Sequence, residues 1–80
     1  MQGLRAEFPE ISGNRIVYYT QLADTVDMYD ISNGITTRIA DADAWWPLIS
    51  GNFICWTDFR NGSTNSDVYL YDIENTKEFE

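Results

Sequence analysis

Apolar side chains in this chain come in short runs separated by Gly, Asn, Asp, Ser and Thr. Arg15-Ile16-Val17-Tyr18-Tyr19-Thr20 is one such run, and Phe53-Ile54-Cys55-Trp56-Thr57 is another. Val26 to Ile31, Val68 to Ile73, Thr36 to Ile39 and Lys77 to Glu80 complete the set. β-Branched and aromatic residues dominate these segments, and no helical spacing competes with them, so they predict β-strands. Two shorter strands are expected at Glu10-Ile11 and Leu48-Ile49, each limited on one side by a proline, Pro9 or Pro47. Between strands lie turn signals: Ser12-Gly13-Asn14, Ser32-Asn33-Gly34, Ser50-Gly51-Asn52 and Glu74-Asn75-Thr76. Gly and Asn tolerate the positive φ that tight hairpins demand.

The eight predicted strands are two copies of one set of four. Phe8 to Tyr18 recurs as Trp46 to Trp56 at an offset of 38, and Val26 to Ile31 recurs as Val68 to Ile73 at an offset of 42. The four extra residues fall in the loop around Gly62 to Ser66. Within the second strand of each set both faces are apolar, with Ile16 and Tyr18 opposing Val17 and Tyr19, and Ile54 and Trp56 opposing Phe53 and Cys55. A sheet with one wet face would alternate apolar with polar, so these sheets are expected to be covered on both sides. Four-stranded antiparallel units of about 40 residues packed face to face are the blades of a β-propeller. The fold class predicted is therefore all-β, with one blade in residues 1–40 and a second in 41–80. A meandering order sorts the connections, placing the short turns at one end and the longer loops 21–25, 40–45 and 58–67 at the other. Long loops on a rigid scaffold are where binding concentrates.

Pro-x-Ile-Ser-Gly-Asn-x-Ile, an aromatic residue, Asp58-x-Arg60-Asn61-Gly62 and then Asp67-Val68-Tyr69-x-Tyr71-Asp72-Ile73 resemble the repeats of TolB-type β-propellers, in the version found in archaeal and bacterial cell-surface proteins. The likeness covers residues 8–80. The first repeat departs from it, since Gln21-Leu22-Ala23-Asp24 stands where the Asp-x-Arg-Asn-Gly loop would be. The resemblance implies an extracellular, surface-displayed scaffold or partner-binding role. Propellers carry roughly four to eight blades, so two blades call for completion by further units. Homo-oligomerisation permits even totals only. Three chains giving six blades suit the resemblance best, and four giving eight come next. The residues expected to pack blade against blade between chains are Val17, Tyr18, Tyr19, Phe53, Trp56, Tyr69 and Tyr71. Such an interface is heterologous and is not obliged to close.

Composition narrows the function classes. The net charge is −8, with only five Lys or Arg against thirteen Asp or Glu, which leaves no basic patch for phosphates or for an anionic membrane surface. No apolar stretch approaches the roughly 18 residues of a membrane span. Met1 to Arg5 lacks the apolar core of a secretory leader. The chain is accordingly expected in the cytosol, or as a surface domain expressed apart from its leader. Cys55 is the lone cysteine and reads as a small buried hydrophobe. There is no histidine to serve as general base or neutral metal ligand, and no nucleophile pair. Carboxylate pairs alone are weak support for acid–base chemistry among so many acids, so the chain is read as non-enzymatic and without a cofactor.

Three local features carry candidate chemistry. The loop from Asp58 to Asp67 is rich in hard oxygen donors, and Ca²⁺ takes roughly six to eight of these. The spacing is not that of an EF-hand, however, and a turn held by Asp58 with Arg60 bridging Asp58 or Asp67 accounts for the same residues. Asn61-Gly62-Ser63 forms a glycosylation sequon. Trp45-Trp46 is the sharpest feature. Trp46 aligns with Phe8 and is expected to pack in the scaffold, whereas Trp45 aligns with Glu7, so the scaffold does not demand an aromatic there. Trp45 beside Asp41 and Asp43 could stack on a sugar ring while the acids take its hydroxyls, or it could simply cover the neighbouring blade. Two functions follow: a self-assembling propeller that presents its loop-rich face, through Trp45, Asp41, Asp43, Asp58 and Arg60, to a partner; or a carbohydrate-binding propeller centred on Trp45.

Overall fold

A computed structural model describes residues 6–21, 23–62 and 66–80. It contains β1 (Ala6–Ser12), β2 (Arg15–Thr20), β3 (Thr25–Asp30) and β4 (Ile35–Ala40), then β5 (Ala44–Ser50), β6 (Phe53–Asp58), β7 (Asp67–Asp72) and β8 (Lys77–Phe79). The strands form two four-stranded antiparallel meanders, ordered β1-β2-β3-β4 and β5-β6-β7-β8. The Gly-Asn turns behave as their chemistry dictates: Gly13 and Gly51 sit at φ 59° and 57°.

The first strand of each sheet is longer than the sequence predicts, spanning seven residues rather than two. The chain passes the proline through a β-bulge. Glu7 pairs with Tyr19 and Glu10 with Val17, so Phe8 and Pro9 together oppose Tyr18. The same slip recurs between Trp45 and Leu48. Pro has no N–H to give a ladder, and an edge-strand bulge is a place that tolerates it. The residue before each proline takes up the distortion, with φ 53° at Phe8 and 52° at Trp46.

The two sheets pack face to face, with β5 lying against β1, β2 and β3. Val17, Val26, Met28, Ile39 and Ala40 of the first sheet meet Ala44, Ile54, Trp56 and Tyr69 of the second in one buried cluster, with Ile49, Tyr71 and Ile73 packed at its margin. Polar contacts reinforce the joint: the Ala44 amide donates to the Asp24 carbonyl at 3.0 Å, and the Gly51 amide to Ser12 Oγ at 3.1 Å. This corrects one expectation from the sequence. Val17, Tyr18, Tyr19, Trp56 and Tyr69 are buried within the single chain and Tyr71 is half-buried against the same core, so they are not free to join two chains. Each sheet covers one face of the other's apolar second strand, so one of the two covers those strands require comes from within the chain. Of the seven residues assigned to chain–chain contact, Phe53 alone stays open, at 47% exposure.

Candidate binding site at the long-loop end

β6 ends in Asp58, whose carboxylate is completely engaged. It accepts hydrogen bonds from Trp56 Nε1 at 2.9 Å, from the Arg60 amide at 2.8 Å, and from Arg60 Nε and Nη2 at 2.9 and 2.8 Å. Burial alone would raise this carboxyl, but the hydrogen bonds from Arg60 and Trp56 outweigh it and hold Asp58 below the usual carboxylate range. Arg60 also reaches Glu78 at 3.0 Å and lies 3.8 Å over the Tyr69 ring, a cation–π contact. Arg60 thus bridges Asp58 and Glu78. Asp67 instead accepts from Asn61 Nδ2 at 3.2 Å. The expectation that Asp58 offers itself to a ligand is corrected, since its acceptor sites are filled by its own chain. The loop centre at 63–65, and with it Ser63 of the sequon, lies outside the described residues.

The first sheet manages the equivalent end differently. Tyr19 donates its hydroxyl to Asp24, and burial together with that bond pushes the phenol upward. Asp27, which is buried, takes Arg38 in a two-point pair at 2.9 and 3.2 Å. At the short-turn end Asp30 accepts from the Ser32 hydroxyl and then its backbone amide, and Asp72 from Asn75 Nδ2 and then its backbone amide, and these bonds lower both carboxyls.

Of the two readings open for Trp45, the structure shows the one in which it covers the neighbouring blade, whereas Trp46 does not pack as expected. Trp45 stacks on Tyr19 of the first sheet, with ring centroids 4.4 Å apart and planes at 26°. Trp46, expected to pack, is 51% exposed. The bulge is the reason, because the positive φ at Trp46 swings its side chain outward while Trp45 keeps its place in the ladder opposite Thr57. Phe8, Tyr19, Trp45 and Trp46 form a continuous aromatic row, with successive centroids 6.1, 4.4 and 5.6 Å apart.

Two hollows open beside this row. Asp43, Trp45, Trp46 and Phe59 line one of about 370 Å³. The other, of about 570 Å³, is bordered by Arg38, Asp41, Asp43, Arg60 and Glu78, among others. Asp43 borders both, and its carbonyl accepts from the Phe59 amide at 2.9 Å, which ties the β4–β5 loop to the β6–β7 loop. The structure therefore brings Asp43 and Trp45 together as the sequence proposed and adds Trp46 and Phe59. Asp41 and Arg60 are placed in the adjoining hollow, and Asp58 is removed from the surface. Phe59 carries no distinguishing sequence signal; only the strand end at Asp58 places it at the rim.

No protein-family model and no curated protein matches the chain. Among solved structures it is similar to the β-propeller domain of the Trilobed protease from Pyrococcus furiosus, a domain described as having an open velcro topology, with 20% identity and a TM-score of 0.80. The match covers 95% of this chain and 27% of that one. At this identity the likeness establishes fold. The chain is all-β, and its two sheets are built as β-propeller blades.

Proposed function

We propose that this chain is a non-enzymatic interaction module of TolB-like kind, a pair of blades that associates with further blades and presents its loop-rich end to a partner, displayed at a cell surface. The observation carrying this reading is the large apolar area left uncovered on the outer faces of the two sheets, where Ile11, Leu48, Phe53, Val68 and Phe79 all stand exposed. Monomeric proteins rarely leave contiguous patches of that kind bare, and such patches mark interfaces. A propeller of roughly four to eight blades covers them by adding blades. Sedimentation across a wide concentration range tests the proposal. Mass is expected to rise in multiples of 9.2 kDa, with three chains and six blades as the favoured end point. A folded 9.2 kDa particle at every concentration would defeat it.

A second reading has its own observation. The hollow between Trp46 and Phe59, with Asp43 at its edge, offers an apolar platform beside a carboxylate, the arrangement that takes the face of a saccharide ring and one of its hydroxyls. Trp46 rather than Trp45 is the residue to watch, because the Trp45 ring is occupied by Tyr19. Tryptophan fluorescence titration with neutral and acidic oligosaccharides is expected to show saturable quenching that Trp46→Ala abolishes. Flat titrations across both classes would remove this reading.

A further inference from the structure

Pairing across the second sheet puts Leu48, Cys55, Leu70 and Phe79 in one row on one face, with Phe53 two positions along the same face. This face points away from the first sheet. Leu48 and Phe53 are 55% and 47% exposed, and a hollow of about 370 Å³ opens among Leu48, Phe53, Cys55 and Leu70. Its counterpart in the first sheet, reached by the repeat offsets of 38 and 42, is Glu10, Arg15, Val17, Met28 and Thr37. That counterpart is the face on which the second sheet already packs, through Val17 and Met28. The uncovered face is thus more apolar than the covered one. The terminal unit of a finished array requires a polar outer face, and this chain has the reverse.

The opposite end of the molecule carries the matching surface. In the second sheet the residues that pack on the first include Ile49, Ile54, Tyr71 and Ile73. The same offsets lead to Ile11, Ile16, Tyr29 and Ile31 in the first sheet. All four are apolar; Ile11 is 63% and Ile31 51% exposed, and Ile16 and Tyr29 are half-buried. The polar contact at the joint can be repeated as well, because Gly51 donating to Ser12 Oγ becomes Gly13 donating to Ser50 Oγ, with both Gly13 and Ser50 exposed. The position equivalent to Tyr69 on this face is Asp27, whose charge is matched by Arg38 at 2.9 Å, so the net −8 of the chain is not concentrated at the contact.

We infer that the Leu48–Phe53–Cys55–Leu70–Phe79 face is a docking surface for the Ile11–Ile16–Tyr29–Ile31 face of a second copy of this chain, which repeats between chains the joint that already exists within one. This rests on the self-assembly reading above and specifies its geometry as head to tail. The test uses two double variants at exposed positions, Leu48→Asp with Phe53→Asp, and Ile11→Asp with Ile31→Asp, each checked for native circular dichroism. Each variant alone is expected to sediment at 9.2 kDa, and an equimolar mixture at twice that mass, because each retains one intact half of the joint. Thiol labelling supplies a second readout. In the mixture, with partner about tenfold above its Kd, Cys55 of the Ile11 and Ile31 variant is expected to react about tenfold more slowly, while Cys55 of the other variant is unprotected. If the Ile11 and Ile31 variant assembles like the parent chain, the apolar face pairs with itself and the inference fails while self-assembly stands. If the mixture remains at 9.2 kDa while the parent chain associates, other surfaces carry association and the inference fails again. A parent chain that is monomeric throughout overturns both this inference and the reading beneath it.

Discussion

Asp58 is a buried carboxylate whose acceptor sites are all taken by its own strand and loop. Arg60 grips it from two residues along the chain and Trp56 from its own strand, while Glu78 of β8 holds Arg60 from the other side. Four donors converge on a carboxylate that has about four acceptor sites, so it is a clamp on the β6–β7 loop. Asp58→Asn keeps the shape and removes the charge, and it turns an N–H₂ toward donors. We expect a loss of about 2–3 kcal/mol in urea unfolding, at the scale of hydrogen bonds to charged groups; Arg60, with its side chain 40% exposed, can rehydrate and limits the damage. The folded carboxyl lies below its unfolded value, so its contribution is complete above about pH 4 and fades as pH falls through the folded pKa. The gap between parent and variant should therefore narrow below about pH 4. A gap that stays constant into stronger acid would show that charge is not what holds the loop. Aligning Trp46 with Phe8 correctly pairs equivalent positions, yet equivalence reveals nothing about direction, and both residues turn outward on the bulge.

Among elements, strands β2, β3, β6 and β7 are readable because β-branched and aromatic runs end at Gly, Asn or Asp turns whose conformations follow from local chemistry. β1 and β5 are readable only in part. Proline and a bulky aromatic at positive φ both argue against a strand, and only the pairing of Glu7 with Tyr19 beyond the bulge shows that the strand continues. The bulge holds strain at Trp46 that a non-glycine residue meets at a cost of about 1–2 kcal/mol. Comparison of two truncations isolates it. Trp46→Gly and Trp46→Ala both delete the exposed indole, but glycine alone accepts φ 52° freely. We expect the glycine variant to be the more stable of the two by roughly 1 kcal/mol, against the usual order in a strand, where glycine is the worse residue. Equal urea midpoints, or an advantage to alanine, would mean that the bulge relaxes when the ring is gone. Gly51→Ala gives the reciprocal case: its Cβ would meet nothing within 4 Å, so any loss reports backbone conformation at φ 57° rather than a clash.

At the level of the molecule, the apolar content of the second strands shows that two covers are needed without saying which partner supplies each. One cover comes from within the chain, which is why Val17, Trp56 and Tyr69 vanish from the surface. The other is missing, and the faces that lack it lie at opposite ends of a two-sheet stack. A stack with unlike ends can close only as a ring, at a copy number set by the rotation between neighbouring sheets. Covalent linkage turns that number into something measurable. Within the chain, three residues (41–43) join β4 to β5. In a tandem fusion, Glu80 and the first five residues of the next copy would join Phe79 to Ala6, giving ample reach for the same step. Fusing two copies gives four blades with both outer faces still bare, and this protein should associate with itself. Fusing three gives six blades, the number the TolB-like reading favours, and its first and last faces should meet inside one polypeptide. We expect the three-copy fusion to sediment as a single chain and to melt at a temperature independent of concentration, whereas the two-copy fusion melts higher as concentration rises, as mass action requires of an associating species. If association persists at three copies and stops at four, the ring holds eight blades. If every fusion goes on associating, the stack is an open helix, which a heterologous joint also permits.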